Sequence, residues 1–515
     1  MSSPSVNKWL VAAAVMLPAL LEVIDTSVAN VALPNMQGSL NAGADEVSWV
    51  LTSYLVSNAV VLPMTGWLAR FFGRKRFLLG CVVIFVLASL LCGAAPNLGA
   101  LIFFRIVQGA AGGALIPMSQ AILLESFPQN QQGLANAIFG VGVMFGPIVG
   151  PILGGWLTDN LSWRWIFYIN VPVGLIAFLM VSAFVVDPPY LQRSRDAVDY
   201  WGLIFLVVGI GALQIVLDKG QQDDWFNSPF ILACSCLSVV SLTLLVLVER
   251  NHAHPVVNLG LFRDLSFSAG NLVMFVVGFG LYGAVSVIPQ HLQSLMGYTA
   301  TQSGLVLAPG GLSTLLTMPL AAVLMQRFDG RKLVFCGLGF GAYSMFLLHG
   351  YSLNAAFVDF IWPRVANGIG LALIFVPLTT ITLGNVPKEK MGDASGLFNL
   401  LRNIGGSVGI AAATTLLARY SQSCQNALVA QATPFHPAYQ EKIALLTHGC
   451  LARGLGTAAA QKTALAGVYG IVRQQAGILS YNHVYWILGL AFVGVAPLLF
   501  LLRKPKSGQG PVAAH

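Results

Sequence analysis

Apolar runs of about 20 residues recur along the whole chain, and short polar segments separate them. A helix of that length crosses the hydrocarbon core of a bilayer, so each run predicts one transmembrane helix. The first run contains Glu22 and Asp25 and lacks the small-residue exit of a cleaved signal peptide, which indicates a retained span. We expect about 14 helices, near residues 9–33, 47–69, 77–95, 99–124, 133–157, 164–186, 200–217, 229–248, 267–290, 301–325, 333–351, 359–385, 394–418 and 483–502.

Composition supports the membrane class. Of the 515 residues, 56% are hydrophobic and only 9% are charged, and the mean hydropathy is +0.75. A soluble domain carries about 25% charged residues, so this chain cannot cover a water-facing surface and is an all-α polytopic membrane protein. The net charge of +8 does not indicate nucleic-acid binding, because no basic stripe with interleaved aromatic residues lies outside the spans.

The distribution of basic residues predicts the orientation. With the N-terminus inside, the short outer loops hold only Arg164 and Lys219, which is the positive-inside pattern and predicts that both termini are cytoplasmic. The outer loop 419–480, about 60 residues long, is too long for this rule to apply. The inner loops are expected to hold Lys8, Arg70, Arg74, Lys75, Arg76, Arg193, Arg195, Arg250, Arg263, Arg327, Arg331, Lys332, Lys388, Lys390, Arg503, Lys504 and Lys506.

An internal repeat divides the chain. The segment 70–75, Arg-Phe-Phe-Gly-Arg-Lys, recurs as Arg-Phe-Asp-Gly-Arg-Lys at 327–332. Each copy is followed by an arginine near the start of another span, Arg105 and Arg364. Two homologous halves separated by inserted helices are a transporter layout. The predicted units are an N-terminal six-helix bundle (1–186), two extra helices with flanking loops (187–266) and a C-terminal six-helix bundle (267–515).

Several enzyme classes lack their required motifs. No Gly-Lys dipeptide occurs, so there is no P-loop for nucleotide phosphates. The G-x-G-x-x-G match at 278–283 lies inside an apolar span without a preceding strand, where glycines serve helix packing. The histidines show no metal-ligand spacing, and His252 and His254 are interpreted as solvated loop residues. If the chain moves solutes, we therefore expect an ion gradient to drive it, with no metal and no cofactor.

Ionisable residues inside the spans are the main functional candidates, because each costs several kcal/mol unless it faces a cavity or a partner. Glu22 and Asp25 lie three apart on one helix face, so the pair is expected to retain one proton near neutral pH, as a proton carrier requires. A carboxylate held permanently by an arginine is the structural alternative for both. Arg105 either takes part in coupling or ties down backbone carbonyls, whereas a structural role is favoured for Arg364 and Arg402.

The fifth span has the most specific pattern, because glycine occupies every fourth position. Such a ladder forms a groove without side chains, along which another helix can approach closely. Two prolines within it each remove a backbone hydrogen bond and are expected to bend the helix. The residues are Gly142, Gly146, Pro147, Gly150, Pro151 and Gly154.

Motifs along nearly the whole chain resemble those of the major facilitator superfamily, in particular its fourteen-helix branch of drug:proton antiporters. The glycine ladder, extended by Gly155, resembles the antiporter signature of the fifth helix. The pattern Leu101-x-x-x-Arg105-x-x-Gln108-Gly109 resembles the fourth-helix motif. The segments 25–34 and 163–172 resemble first- and sixth-helix signatures of that branch.

The resemblance implies a major facilitator fold, in which two six-helix bundles rock around a central cavity, with two inserted helices. It implies proton-driven export of amphipathic toxic compounds from the bacterial inner membrane. The proton gradient is then the energy source, and the expected partners are a periplasmic adaptor of the EmrA type and an outer-membrane channel of the TolC type.

The same resemblance assigns roles to residues. Proton coupling falls to Asp25, Glu22 and Arg105, and the fourth-helix motif comprises Arg105, Gln108 and Gly109. Candidate polar groups of the cavity are Asn30, Asn399 and Arg402. The repeated loop motif implies gating loops, with Gly66, Gly73, Arg74, Gly330 and Arg331 as candidates.

One position departs from the family pattern. The loop motif G-x-L-A-D-R-x-G-R-K normally carries a carboxylate, which caps a helix and latches one conformation, but Arg70 occupies that position here. We therefore expect any latch to use other groups and assign no gating role to Arg70.

Two other function classes were weighed. A major facilitator transporter of a single metabolite or a fatty-acid-like substrate is the alternative, and the glycine ladder disfavours the transport of one metabolite. A membrane enzyme or receptor is disfavoured because no nucleophile, metal or phosphate constellation is present.

The long outer loop carries two further expectations. Cys424 and Cys450 lie there, on the predicted oxidising side, so a disulfide between them is a candidate. The stretch 440–478 is rich in Ala, Leu and Gln and contains no proline, so it should form helices with an apolar face, split into short pieces by its glycines. An uncovered apolar face suggests a partner surface, and a cap over the outer helix ends is the alternative.

Overall fold

The computed structural model describes residues 7–128, 131–187, 199–251 and 255–503, and within these ranges the chain forms helices and turns without any strand. Of the residues assigned above to inner loops, Arg193, Arg195, His252, His254, Lys504 and Lys506 lie outside the described ranges. The helices are α1 (Lys8–Ser39), α2 (Ala44–Val61), α3 (Thr65–Phe72), α4 (Arg74–Ala94), α5 (Leu98–Gly112), α6 (Leu115–Ser126), α7 (Gln132–Asn160), α8 (Trp165–Tyr168), α9 (Asn170–Phe184), α10 (Tyr200–Lys219), α11 (Pro229–Asn251), α12 (Leu265–Ser294), α13 (Ala300–Arg327), α14 (Gly330–His349), α15 (Phe357–Leu383), α16 (Met391–Gln431), α17 (Pro437–Ala452) and α18 (Thr457–Val495).

The all-helical membrane architecture is confirmed. Among the described residues, thirteen helical stretches are long and apolar enough to cross a membrane. They expose large apolar side chains outward, such as Leu316 and Val358, each 70% exposed, as lipid-facing helices do. Helix α7 adds an unbroken run of 29 residues. The count of fourteen spans and the side of the termini stay predictions.

The second and the fourth span are interrupted helices. The second span changes from α2 to α3 through a 3₁₀ turn at Leu62–Met64 that contains Pro63, because proline cannot donate the helical hydrogen bond. The fourth span changes from α5 to α6 at Gly113, which lies directly against the backbone of Asn58 in α2. Broken backbone of this kind is tolerated at membrane depth where it is buried in protein.

The two halves pack in the same order. In the N-terminal half α1 packs on α7, α2 and α4 pack on α5, and α4 packs on α9. In the C-terminal half α12 packs on α16, α13 and α14 pack on α15, and α14 packs on α18. Corresponding glycines make corresponding contacts, since Gly174 of α9 faces Val86 of α4 and Gly489 of α18 faces Phe346 of α14.

The extra helices lie between the halves. Helix α10 packs on α11, on α2 of the N-terminal half and on α16 of the C-terminal half. Its Gln214 donates a hydrogen bond of 2.7 Å to Ser407 of α16. On the other side Thr52 of α2 donates to Asp218. The inserted pair therefore contacts both bundles.

The outer loop is helical nearly throughout, which corrects the expectation of short pieces. Helix α16 has 41 residues and α18 has 39, so each is about 60 Å long, twice the hydrocarbon thickness. One break, at 453–456, separates α17 from α18, while Gly467, Gly470 and Gly477 are accommodated inside α18. The ends of α16 and α18 pack together, joined by a hydrogen bond from Gln425 to Tyr469, and α17 packs along α18. We call residues 424–478 the outer hairpin.

The candidate disulfide is not present. Cys424 and Cys450 are both free thiols, each partly exposed. Cys424 lies on α16 and Cys450 on α17, and α17 packs along α18.

Candidate functional site

The glycine ladder of α7 seats helix α1, the helix that carries both intramembrane carboxylates. A Cβ atom at position 154 would lie 2.9 Å from Cγ1 of Val28, closer than real Cβ atoms approach. The other three positions are tighter, and at Gly146 and Gly150 the neighbour is a short side chain with backbone behind it, so glycine is required for this helix spacing. The pairs are Gly142 with Met16, Gly146 with Val23, Gly150 with Ser27 and Gly154 with Val28.

Not every residue of the antiporter signature contributes to this contact. A Cβ atom at Gly155 would meet nothing within 4 Å, so this glycine lies off the groove. The side chains of Pro147 and Pro151 lie outside the described part of the chain. The structure therefore gives the ladder a packing partner, while the role of the motif in transport stays a prediction.

Asp25 is the centre of a buried polar network that joins three helices. Its Oδ2 accepts a hydrogen bond of 2.7 Å from Nη1 of Arg105 in α5. Its Oδ1 accepts from Gln108 of α5 at 2.8 Å and from Asn170 of α9 at 2.6 Å. The carboxylate is only 2% exposed, so three donors replace its hydration, one of them charged.

Arg105 is held by more than the ion pair. It is fully buried, its Nε donates to the carbonyl of Val50 at 3.1 Å, and its guanidinium lies 4.1 Å from the ring centroid of Tyr54. Gly109, one turn further on, lies against the backbone of Tyr54, which brings α2 close enough for both contacts. Arg105 therefore both binds a backbone carbonyl and pairs with Asp25, so the two interpretations do not exclude each other.

Glu22 has a separate set of partners. Its Oε1 accepts from the side-chain amide of Asn58 at 2.7 Å, and its Oε2 accepts from the backbone N–H of Ile116 at 3.3 Å. Both donors are neutral, and Arg402 of α16 is the nearest cation that acts on Glu22 electrostatically. The two carboxylates share a helix face, but among the described residues only Asp25 is directly bonded to a cation.

Arg70 forms an ion pair between the two bundles, while the assignment of gating among these loop residues stays a prediction. Its Nη1 lies 2.6 Å from Oδ2 of Asp393, in the first turn of α16. The carboxylate side chain is 2% exposed and the arginine side chain 30%. Gly66 makes the approach possible, because a Cβ there would overlap Asp393. The carboxylate that pairs with this loop therefore lies on the partner bundle, in α16.

Arg74 supports the same closure from the next helix. It pairs with Glu125 at the end of α6, and its Nη2 donates to the carbonyl of Lys388 at 3.2 Å. In the repeat Arg331 pairs with its neighbour Asp329 at 2.9 Å, and Gly330 packs beside Ile381 within the same bundle. The N-terminal copy of the loop motif thus bridges the bundles.

Polar side chains deeper between the bundles extend this contact. Gln120 of α6 accepts from Asn399 at 2.9 Å and from Ser395 at 3.1 Å. Asn136 of α7 donates to Thr380 of α15 at 2.8 Å. All of these bonds, with those of Arg70 and Arg74, join the bundles toward the end that the charge bias predicts to be cytoplasmic. The described conformation is therefore closed at that end.

The three polar groups proposed for the cavity have different surroundings. Asn399 is 1% exposed and is used in the bundle contact. Asn30 is exposed and donates to the carbonyl of Thr26 on its own helix. Arg402 is buried near Glu22, with its Nε lacking a hydrogen-bond partner among the described residues.

Sequence reasoning missed several members of this site. Asn170 appears in the sequence analysis only as one residue of the sixth-helix signature. Asn58, Gln120 and Asp393 belong to no motif that would single them out. Asp393 could have been found by asking which carboxylate lies in the first turn of a span in the second half.

Two helical halves that pack in the same order, with a buried ion pair inside the first, are the layout of a secondary transporter. The model of the Major Facilitator Superfamily matches residues 15–410, and the chain belongs to that family. It is 36% identical to the multidrug export protein EmrB of Haemophilus influenzae over 97% of this chain and 96% of that protein. It is 35% identical to the fatty acid resistance protein FarB of Neisseria gonorrhoeae over 96% of each chain.

A solved structure supports the fold. The crystal structure of the human organic anion transporter MFSD10 covers 94% of this chain and 99% of its own, with a TM-score of 0.61 at 14% identity. At this identity the likeness concerns the fold alone. The chain is thus a transporter of this superfamily.

Proposed function

We propose that the protein is a proton-driven antiporter that exports amphipathic toxic compounds across the bacterial inner membrane. Family membership and full-length similarity to proteins named for multidrug export support export over the transport of one metabolite. No cofactor enters this scheme, since the proton gradient supplies the energy.

The observation that carries the proposal is the buried contact between Asp25 and Arg105 on helices α1 and α5. A carboxylate at this depth is stable as an anion only while its three donors remain in place. Binding a proton removes the charge that holds Arg105, so protonation and the position of α1 are linked. Because α1 lies in the glycine groove of α7, its movement is passed to a helix whose inner part contacts the other bundle.

The proposed cycle couples this site to the closed inner end. In the described conformation Asp25 is paired and the Arg70–Asp393 contact is made. Protonation of Asp25 from the outer side weakens its network and favours the conformation in which the inner end opens. Release of the proton into the cytoplasm and entry of the substrate there then restore the outward-facing conformation with the substrate carried across.

Transport into everted membrane vesicles tests this proposal. Vesicles containing the protein should accumulate a fluorescent amphipathic dye when the pH gradient is imposed, and should lose it when an exchanger dissipates the gradient. Vesicles with Asp25→Asn are the matched control. Dye accumulation that does not depend on the pH gradient but requires ATP or sodium would contradict proton coupling.

We further propose that the outer hairpin docks a periplasmic adaptor of the EmrA type, which joins an outer-membrane channel of the TolC type. The support is the length of α16 and α18, which extends them well past the bilayer, and the apolar residues that the hairpin exposes. Phe435 is 92% exposed and Leu445 is 64% exposed. Apolar side chains in that position favour a protein partner.

A further inference from the structure

A second buried arginine, Arg364 of α15, occupies in the C-terminal bundle the place that Arg105 has in the N-terminal bundle. Both arginines follow the repeated loop motif at a similar distance, and both are on the helix that packs against two neighbours of its own half. Their surroundings differ in charge. Arg105 is bonded to Asp25, whereas Arg364 has no ion pair or hydrogen bond with any described residue.

The C-terminal bundle contains no carboxylate that could pair with Arg364. Helices α12, α13, α14, α15, α16 and α18 include two acidic residues, Asp359 and Asp393. Each lies in the first turn of its helix, where Asp359 caps α15 and Asp393 pairs with Arg70. Helix α12, the counterpart of the helix that carries Asp25, has neither Asp nor Glu.

Arg364 is nevertheless deeply buried. It is 7% exposed, and both Nε and Nη1 are fully enclosed without a hydrogen-bond partner. Gly310 of α13 lies directly against the guanidinium, since a Cβ there would be 3.2 Å from Nη2, closer than ordinary contact. Burying an uncompensated cation is strongly unfavourable, so a protein retains one where an anion is bound at some stage of function.

A second unused donor lies in the same cluster. His291 of α12 is fully buried, and its Nδ1 is 3.0 Å from the hydroxyl of Tyr485 of α18. Its Nε2 has no partner among the described residues. When Tyr485 donates to Nδ1, Nε2 carries the hydrogen and is able to donate to an anion.

The rest of the cluster is aromatic. Tyr481 stacks on the His291 ring at 4.8 Å, and Phe360, one turn before Arg364 on α15, meets that ring edge-on at 5.6 Å. An apolar wall around a guanidinium fits an anion that is attached to an apolar body. A carboxylate fits best, because it accepts two parallel hydrogen bonds from one edge of a guanidinium.

We propose that Arg364 and His291 form a subsite that binds the carboxylate of an amphiphilic substrate. The inference rests on the proposed export function, since it names the substrate class of the same transporter. It assigns the C-terminal bundle to recognition of the anionic headgroup and leaves proton coupling with Asp25 in the N-terminal bundle.

Binding without a proton gradient tests the subsite separately from transport. The probes are laurate and dodecyltrimethylammonium, which share chain length and differ in headgroup charge, titrated into the full-length protein in phosphatidylcholine nanodiscs. Wild type should bind laurate, and Arg364→Gln should weaken laurate binding by about 10- to 100-fold, the loss of one charge-assisted bond. Binding of the cationic probe should change by less than about twofold.

Controls make each outcome decisive. Arg263→Gln, which removes an exposed arginine, should leave both affinities unchanged. Arg364→Met should melt at or above the wild-type temperature without ligand, because it removes an unpaired buried cation, and should lose the stabilisation by laurate. Equal losses for both probes in Arg364→Gln, unchanged laurate affinity, or a wild type that laurate does not stabilise would each overturn the proposal.

A lipid phosphate is the competing source of an anion. If phosphatidylglycerol copurifies with wild type but not with Arg364→Gln, and if it displaces laurate, the subsite serves lipid and the substrate assignment is overturned. Since no gradient is used, these results stand apart from the export proposal. Wild-type vesicles that fail to transport would contradict export while leaving laurate binding intact.

Discussion

Glu22 and Asp25 are three residues apart on α1, and their different partners separate their tasks. Asp25 is bonded to a guanidinium and two side-chain amides, which join α1 to α5 and α9. Glu22 is bonded to neutral donors and faces Arg402 of the other bundle. The periodicity of the helix predicted that they share a face, and the donors that distinguish them come from helices distant in sequence.

The Arg70–Asp393 pair gives a prediction that a double-mutant cycle measures. Arg70→Gln should lower stability by roughly 1–3 kcal/mol and slow transport several-fold, because it leaves the carboxylate of Asp393 buried without its partner. Arg70 is 30% exposed, which keeps the value below that of a fully enclosed pair. Adding Asp393→Asn should recover most of the lost stability. Thermal unfolding and vesicle transport of the two single variants and the double variant measure the coupling between the residues. Additive losses of stability would show that the two residues act independently.

At the scale of helices, the glycine ladder shows which part of the site the sequence predicts and which part it does not. Spacing alone predicted a groove on α7, because four glycines in register require a close neighbour. It did not identify α1 as that neighbour, since the contact is set by the topology of the bundle. The same limit explains why the sequence did not identify the partner of Arg70, which lies 323 residues away. It also explains the outer hairpin, where the glycines predicted helix breaks but packing against neighbouring helices keeps the helix continuous.

Substitutions on α7 test the groove. Gly146→Leu should reduce transport at least tenfold, because the side chain would displace α1 and overpacking costs about 1–3 kcal/mol. Gly155→Leu, on the same helix with open space around its Cα, should insert and transport nearly as wild type. Efflux assays with matched expression compare them. Equal effects of the two substitutions would show that contact with α1 is not what the ladder provides.

At the scale of the whole molecule, orientation is the first property to measure. Variants that retain Cys424 or Cys450 alone should react with a membrane-impermeant maleimide in intact spheroplasts, because both lie in the outer hairpin and are partly exposed. A cysteine introduced as Arg263→Cys should react only after permeabilisation. The reverse pattern would place the termini outside and invert the assignment of the closed end.

The outer hairpin gives the second prediction at this scale. Replacing residues 424–476 by a short Gly/Ser linker should leave gradient-driven transport in vesicles within about twofold of wild type, since the Asp25 network lies far from it in the N-terminal bundle. Cross-linking to the adaptor and resistance of whole cells should both be lost. Retention of both would exclude docking at the hairpin, and loss of vesicle transport would assign the hairpin to a cap that the bundles require.

The central claim is that the Asp25–Arg105 contact couples protons to transport, and one variant addresses it most directly. Asp25→Asn keeps the side-chain volume and one accepting oxygen but cannot carry a proton. In proteoliposomes it should lose gradient-driven accumulation of substrate by at least about 100-fold, while substrate exchange without a gradient continues, because exchange requires the rocking movement and no net proton transfer. Accumulation driven by the pH gradient at the wild-type level in this variant would contradict the account.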